Sequence, residues 1–567
     1  MRSKLTRLKP QTIINDLRHL VYSSAEEFGD KALYIYKEDK GEKTFTYNDR
    51  LTYMNRLGTA FAEIGLLGKN VAVIGETHPY YAVTYLTVVN GNGIIIPLDK
   101  EITEDEIINF INISEASAIA YTESFNKKLI KFAEKVPNVQ YFIPFYPATE
   151  DLTNPKVKPI GDLFEMGKIS LEHGNRKYLD IELDMKKMCS LLFTSGTTGT
   201  SKGVMLSQHN LTSNTNDACK ATPYDYTSTF VSVLPIHHSY EMLCSHLATT
   251  NLGTTTFIND SLKNVAKNIA SFKPNSLVLV PLFAETMHKK IWSEIDKKGM
   301  RTKVELAMKL CEGLLTMGID LRKKLFGQIT DAFGGNLTSI ICGGAPVSPQ
   351  IIKDFYLFGI IILEGYGITE CSPLVAVNGI NKNRMKSVGP IVEQCEVKID
   401  KKPDEITGEI CVKGENVTSG YYKNEAATID AFTDDGWFRT GDIGYVDEDG
   451  FLYITGRKKN IIILSNGKNI YPEEIEEYLS RCPLIKESII VGRSNENNDI
   501  VITAIIHPDY ENEALAGKSP EEIYDIIKSE VNEINKKLPV FKQVREIEIR
   551  EIEFEKTTSK KIKRYKI

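Results

Sequence analysis

"FTSGTTGTSKGVMLS", Phe193 to Ser207, runs on directly from the apolar residues "SLL". Thr194, Ser195, Gly196, Thr197, Thr198, Gly199, Thr200, Ser201, Lys202 and Gly203 place glycines, hydroxyls and one ammonium behind a strand. Glycine lets the backbone approach a ligand and turn successive N–H groups toward it, and the hydroxyls and lysine add further donors. That inventory suits a polyphosphate. A flexible surface loop has the same composition, so the position after a buried strand carries the reading. The lysine does not follow the second glycine of a G-x-x-x-x-G-K-[ST] pattern, which disfavours a P-loop NTPase.

Outward from that loop, two regions alternate short apolar runs with segments of helical period, the pattern of parallel βα units. The first holds "VAVIG" (71–75), "GIIIPL" (93–98) and "SAIAYT" (117–122), with helices near 78–90 and 103–113. The second holds "SLLFTSG" (190–196), "TFVSVLP" (229–235), "SLVLVP" (276–281), "TSIICGGA" (338–345) and "IIILEGYG" (360–367). Open α/β sheets bind ligands beyond the carboxyl ends of their strands, and "TSGTTG", "CGGAP" and "EGYGITE" are such ends. Residues 284–333 form a Lys-rich stretch with an apolar face, expected to be a surface helical insertion. After about 385 the pattern changes to short strands and turns. From about 458 comes an α+β pattern: a helix at 472–480, strands near 486–492 and 500–506, a helix near 520–537 and a strand near 544–552.

At 567 residues the chain exceeds one core, so two or more domains are expected. A net charge of −6 argues against a dedicated nucleic-acid binder. The nine cysteines are scattered with no CxxC pair, the pattern of reduced thiols and not of a disulfide framework or zinc site. The N-terminus lacks the apolar core of a secretory signal, and the most apolar stretches are broken before they reach a bilayer span. A cytoplasmic protein is expected, with peripheral membrane contact left open.

The sequence resembles the adenylate-forming (AMP-binding) superfamily of acyl-CoA synthetases, carrier-charging adenylation domains and firefly luciferase. Besides the 194–203 loop, the resemblance rests on "LPIHHSYE" (234–241), "GGAP" (343–346), "EGYGITE" (364–370), "GWFRTGDIG" (436–444) and "GRKKNIIILSNGKNIYPEEIE" (456–476), in family order. It implies an α/β fold: a large N-terminal domain of βα sheets with a small β subdomain (1–457), then a small mobile α+β C-terminal domain (458–567). The implied reaction joins a carboxylic acid to ATP as an acyl-adenylate, releasing pyrophosphate, and then transfers the acyl group to a thiol. Glu370 matches the family's Mg2+ ligand. Gly343, Gly344 and Ala345 match the segment lining the adenine, with Glu364, Gly365 and Tyr366 on its other side, and Gly367 and Thr369 join the implied nucleotide-binding residues. Asp442 matches the ribose carboxylate, Arg457 a further ribose or phosphate contact, and Lys459 the hinge. His237 matches the position bordering the acyl pocket, whereas His238 reads equally as structural.

"LPIHHSYE", the insertion and "LSNGKNIYPEE" look most like the bacterial long-chain fatty acyl-CoA synthetase branch. A medium- to long-chain fatty acid and coenzyme A are the implied substrates. A free-standing acyl carrier protein is the second acceptor, and a non-catalytic adenylate-binding protein or a luciferase-like oxygenase are the readings from other classes. The tail "FEKTTSKKIKRYKI" (554–567) has six basic side chains against one glutamate. It matches the family ending P-K-T-x-x-G-K-I-x-R, which places the catalytic lysine at Lys561. Lys560, standing where the family has Gly, is the rival.

Overall fold

The computed structural model describes residues 10–38, 41–146, 154–194, 201–222, 224–380, 382–464, 469–494, 499–556 and 562–567. By packing, the chain divides into two compact units: Met1–Glu396 with Lys413–Gly436, and Val397–Val412 with Trp437–Ile567.

The larger unit holds two sheets. The six-stranded sheet runs Tyr141–Pro144, Ala118–Tyr121, Asn70–Ile74, Ile94–Leu98, Met188–Thr194, Lys202–Ser207. Its first five strands are parallel and the last is antiparallel to its neighbour. The parallel strands are apolar at nearly every position because both faces are covered. Val71 and Val73 enter one core with Tyr81, Val83 and Leu86 of helix Pro79–Val89. Ala72 and Ile74 enter another with Ile107 and Ile111 of helix Glu104–Ile113, whose start is fixed by a Thr103/Glu106 capping box.

The eight-stranded sheet runs Leu374–Val377, Ile361–Gly367, Ser339–Gly343, Ser276–Leu279, Thr229–Ser232, Thr255–Ile258, Ala32–Glu38, Gly41–Thr46. Its six inner strands are parallel, and an antiparallel strand closes each edge. The edge strand Gly41–Thr46, "GEKTFT", leaves Glu42 and Lys43 exposed. The insertion expected at 284–333 forms helices Pro281–Lys297, Arg301–Thr316 and Arg322–Asp331. Their inward residues Ile291, Ile295, Met308, Cys311 and Phe326 join the core that includes Leu277, Ile340 and Ile362 of this sheet.

In the smaller unit, strands Cys395–Asp400, Gly408–Gly414, Phe438–Val446 and Phe451–Arg457 lie side by side in that order. The C-terminal segment adds helix Pro472–Leu479 and a sheet of Ile485–Ser494, Ile500–Pro508 and Glu546–Ile549. Its last pair is parallel, connected through helix Pro520–Asn535. Ile475, Leu479, Ile490, Ala504, Ile523 and Ile527 form its core. By packing, strands of the small β region stay with the C-terminal segment. Lys458 bonds Glu409 at 2.7 Å, Thr407 bonds the Tyr471 hydroxyl at 3.2 Å, and Gly456 packs closely against Glu473 and Tyr471. None of the nine cysteines is in a disulfide. No described helix is long and apolar enough to cross a membrane.

Candidate functional site

Thr194 and Lys202 face each other across the antiparallel pair Met188–Thr194 and Lys202–Ser207, so the two strands close the base of the Gly/Ser/Thr loop. The Thr194 hydroxyl donates to the Lys202 carbonyl at 3.4 Å. Ser195, Gly196, Thr197, Thr198 and Gly199 lie outside the described residues.

A second segment, 418–422, zips along the strand that leaves the loop. Met205 N donates to Gly420 O at 3.1 Å, Tyr422 N to Gly203 O at 2.8 Å, and the Thr418 hydroxyl to Met205 O at 2.6 Å. This pairing puts the Tyr421 ring under the Lys202 ammonium, 4.7 Å from the ring centroid. The Tyr421 hydroxyl donates to Glu370 Oε1 at 2.9 Å, and Thr418 N holds the Glu370 carbonyl at 2.8 Å. Burial, and then the Glu370 carboxylate, push the Tyr421 phenol well above its ordinary pKa, so it stays a proton donor. The loop lysine and the carboxylate expected to hold Mg2+ are thus brought together by a tyrosine that sequence reading missed. Tyr421 lies in "TSGYY", which carries no charge to mark it.

Glu370 sits in the short turn Thr369–Cys371 just past the strand Ile361–Gly367. The neighbouring strand ends at Gly343, in register with Gly365. A β-carbon on Gly343 would lie 3.2 Å from the Tyr240 ring, and Gly344 adopts φ +91°. Only glycine suits that conformation, so the backbone turns off the strand with nothing projecting beside it. Glu364 Oε1 accepts from Val347 N at 3.1 Å, which ties Ala345 and the turn after it to the adjacent strand that carries Gly365, Tyr366 and Gly367. Among the described residues no three His, Cys, Asp or Glu side chains gather as a metal cage. One carboxylate held by a tyrosine fits Mg2+, which binds through one or two carboxylates and keeps water and phosphate oxygens as its other ligands.

His237 follows strand Thr229–Ser232 in a turn closed by His238 N and Pro235 O at 3.1 Å. Its Nε2 lies 3.6 Å from Asp99 Oδ2, and its ring centroid lies 4.1 Å from that of His238. It lines a small apolar cavity with Tyr85, Leu211, Met242, Leu243 and Leu247. The next residues form a short helical turn and then the π-helix Met242–Leu247, a geometry often found at functional sites. Glu241, wholly buried at its start, accepts from the Ser232 hydroxyl. Burial pushes its carboxyl up to about 8.

In the smaller unit Asp442 and Arg457 are partners on adjacent strands, with Arg457 Nε donating to Asp442 Oδ1 at 2.7 Å. Lys459, in the turn Lys458–Asn460, is held below the ordinary lysine range by burial and then by Arg457 and Arg564. Lys560 and Lys561 lie outside the described residues. On either side of them, Lys556 and Ile562 pair as a bridge, Lys563 N donates to Glu555 O at 2.8 Å, and Arg564 is paired with Glu476.

Residues 21–422 match the family model described as AMP-binding enzyme, and residues 459–567 match the AMP-binding enzyme C-terminal domain. The long-chain-fatty-acid–CoA ligase FadD15 of Mycobacterium bovis is 30% identical over 446 residues, 75% of this chain and 71% of that protein. The chloroplastic long-chain-fatty-acid–[acyl-carrier-protein] ligase AEE15 of Arabidopsis thaliana is 25% identical over 556 residues, 86% of this chain and 76% of that one. Among solved structures, the adenylation domain of a carboxylate reductase from Mycobacterium chelonae superposes with TM-score 0.78 at 20% identity, over 99% of this chain and 90% of that one.

Proposed function

The chain belongs to the AMP-binding enzyme family, and from that premise we propose that it activates a medium- to long-chain fatty acid with ATP and passes the acyl group to coenzyme A. The observation that carries the reading is the tie of Lys202 and Glu370 through Tyr421 at the base of the 195–200 loop. A carboxylate is a poor electrophile. The remedy is attack of its oxygen on the α-phosphorus of ATP. The bond to the bridging oxygen breaks, pyrophosphate leaves, and the acyl carbon gains AMP as a leaving group. The coenzyme A sulfur then attacks that carbon and AMP departs.

In this reading Lys202 and the 195–200 loop are assigned to the triphosphate, whose negative charge their ammonium, hydroxyl and amide donors would offset. Glu370 is the residue that would hold Mg2+, which supplies charge neutralisation between phosphate oxygens. Gly343, Gly344 and Ala345, with Glu364 to Gly367, are assigned to the base. Asp442 is assigned to the ribose hydroxyls with Arg457 beside it, Lys459 to the hinge, and His237 to positioning the acid. Lys561 is assigned to the two anions that react, since an ammonium on a flexible stem suits converging negative charges. Nine cysteines outside any disulfide fit a cytoplasmic site of action.

The test is pyrophosphate release from ATP with saturated fatty acids of graded length, with and without coenzyme A. Acid-dependent release is expected, with acyl-CoA formed when the thiol is present. No release with any acid sinks the reading. The similarity to an acyl-carrier-protein ligase favours a second acceptor, so purified acyl carrier protein is offered in place of coenzyme A. Thioester formed on the carrier alone moves the conclusion to that acceptor.

A further inference from the structure

We propose that the outward face of helix Arg301–Thr316 docks the protein onto an anionic phospholipid bilayer. The helix has apolar stripes on opposite sides. Val304, Met308, Cys311 and Leu315 pack inward on the core. On the other side Leu306, Leu310 and, just past the helix end, Met317 are 62, 58 and 67% exposed. Their spacing, with Gly313 between, sets them in one row along the helix. A helix that only covers a core is polar on its outer face, and a contiguous exposed apolar row marks an interaction surface.

Charge selects the occupant. The exposed lysines Lys303 and Lys309 flank the row. The acidic side chains Glu294, Asp296, Glu305, Glu312 and Asp320 each have a basic partner in Lys297, Arg301 (for two of them), Lys353 and Arg322. Lys298, Lys303, Lys309, Lys323 and Lys324 have no ion-pair partner among the described residues. In a chain of net charge −6, that is a local excess of positive charge on the helices that carry the apolar row. A second copy on this face would set lysines against lysines across a two-fold axis. A bilayer meets both features, with acyl chains for the leucines and lipid phosphates for the ammonium groups. The purpose rests on the fatty-acid reading, because such an acid dissolves in bilayers. The binding itself needs no turnover.

The experiment is co-sedimentation of the full chain with phosphatidylcholine vesicles, with and without phosphatidylglycerol, at low and high salt. Binding is expected only with the anionic lipid, and salt should weaken it. Replacing two lysines (K303Q/K309Q) should weaken it about 25-fold, from roughly a factor of five per lysine. Leu306→Ser with Leu310→Ser should weaken it at least about tenfold. Both variants should keep the wild-type melting temperature and pyrophosphate release with a medium-chain acid supplied in solution without vesicles. Absence of wild-type binding, or variants that bind as wild type does, overturns the proposal. So does a dimer in sedimentation that the leucine variant dissolves, or capture by acyl carrier protein without vesicle binding. Failure of every acid in the turnover assay would remove the fatty-acid reading and leave the vesicle result standing.

Discussion

Two sets of charged residues, one in each unit, are held in opposite ways. In the larger unit Lys202 rests on an aromatic ring and Glu370 on a phenol, and neither has an ion-pair partner among the described residues. In the smaller unit Asp442 pairs with Arg457, Glu409 with Arg439 and Lys458, and Glu476 with Arg564. Neutral supports fix a charged group without cancelling it, so an incoming triphosphate or cation meets a preset field. Paired charges must exchange partners before they take up a ligand, which lowers the gain from binding. In the proposed reading Lys202 and Glu370 stand ready for ligand, whereas Asp442 and Arg457 must part before they take one up.

The largest expected effect breaks that comparison at its least neutral point. Lys561→Ala should lower acyl-adenylate formation by at least about a hundredfold, the scale for losing a group that stabilises developing charge. Transfer from a pre-formed acyl-adenylate to coenzyme A should be largely spared. The two half-reactions are measured separately, and the same pattern from Lys560→Ala instead would shift the assignment by one residue.

Next comes the extreme case of a carboxylate with neutral partners, Glu241. Its carboxyl is raised from 4.5 to about 8. Between those values the folded protein keeps a proton that the unfolded chain has released, so its contribution to stability falls as pH rises through that window. Glu241→Gln should flatten this dependence and stabilise the protein at pH 8 by on the order of a few kcal/mol. Urea midpoints at both ends of the window measure it. An unchanged slope would mean that cationic neighbours compensate Glu241 after all, and the contrast between the units would weaken.

The smallest effect separates the two supports given by Tyr421. Tyr421→Phe keeps the ring under Lys202 and removes the bond to Glu370. A hydrogen bond to a charged group contributes about 1.5–3 kcal/mol, so the Mg2+ concentration for half-maximal activity should rise roughly tenfold or more. Mn2+ binding followed by water proton relaxation, with ATP present, should weaken in parallel. Tyr421→Leu should additionally weaken ATP binding severalfold, the scale of a cation–π contact. If Phe and Leu behave alike, the ring is idle.

The elements of this fold were legible where local chemistry states them. Ser519, Pro520 and Glu522 mark the start of helix Pro520–Asn535 by cap, first turn and capping box, and the buried strands announce themselves as apolar runs between turns. Tyr421 was not legible, because its role comes from pairing with a strand more than two hundred residues earlier and its side chain carries no charge. The same holds for strands Gly408–Gly414 and Phe438–Val446. Their β pattern is visible in the sequence, but the ion pairs and glycine contacts that assign them to the C-terminal segment exist only after folding. The ends of two buried strands, at Gly343 and Gly367, were readable because a glycine-rich turn after an apolar run is a local signal.

The antiparallel strands at both edges of the eight-stranded sheet have a consequence for the protein in crowded solution. At the edge strand Gly41–Thr46 the outermost backbone is short and bears Glu42 and Lys43, side chains that discourage another chain from adding itself to the ladder. Strand-by-strand polymerisation is thereby blunted at that edge, and encounters between molecules are left to their side chains.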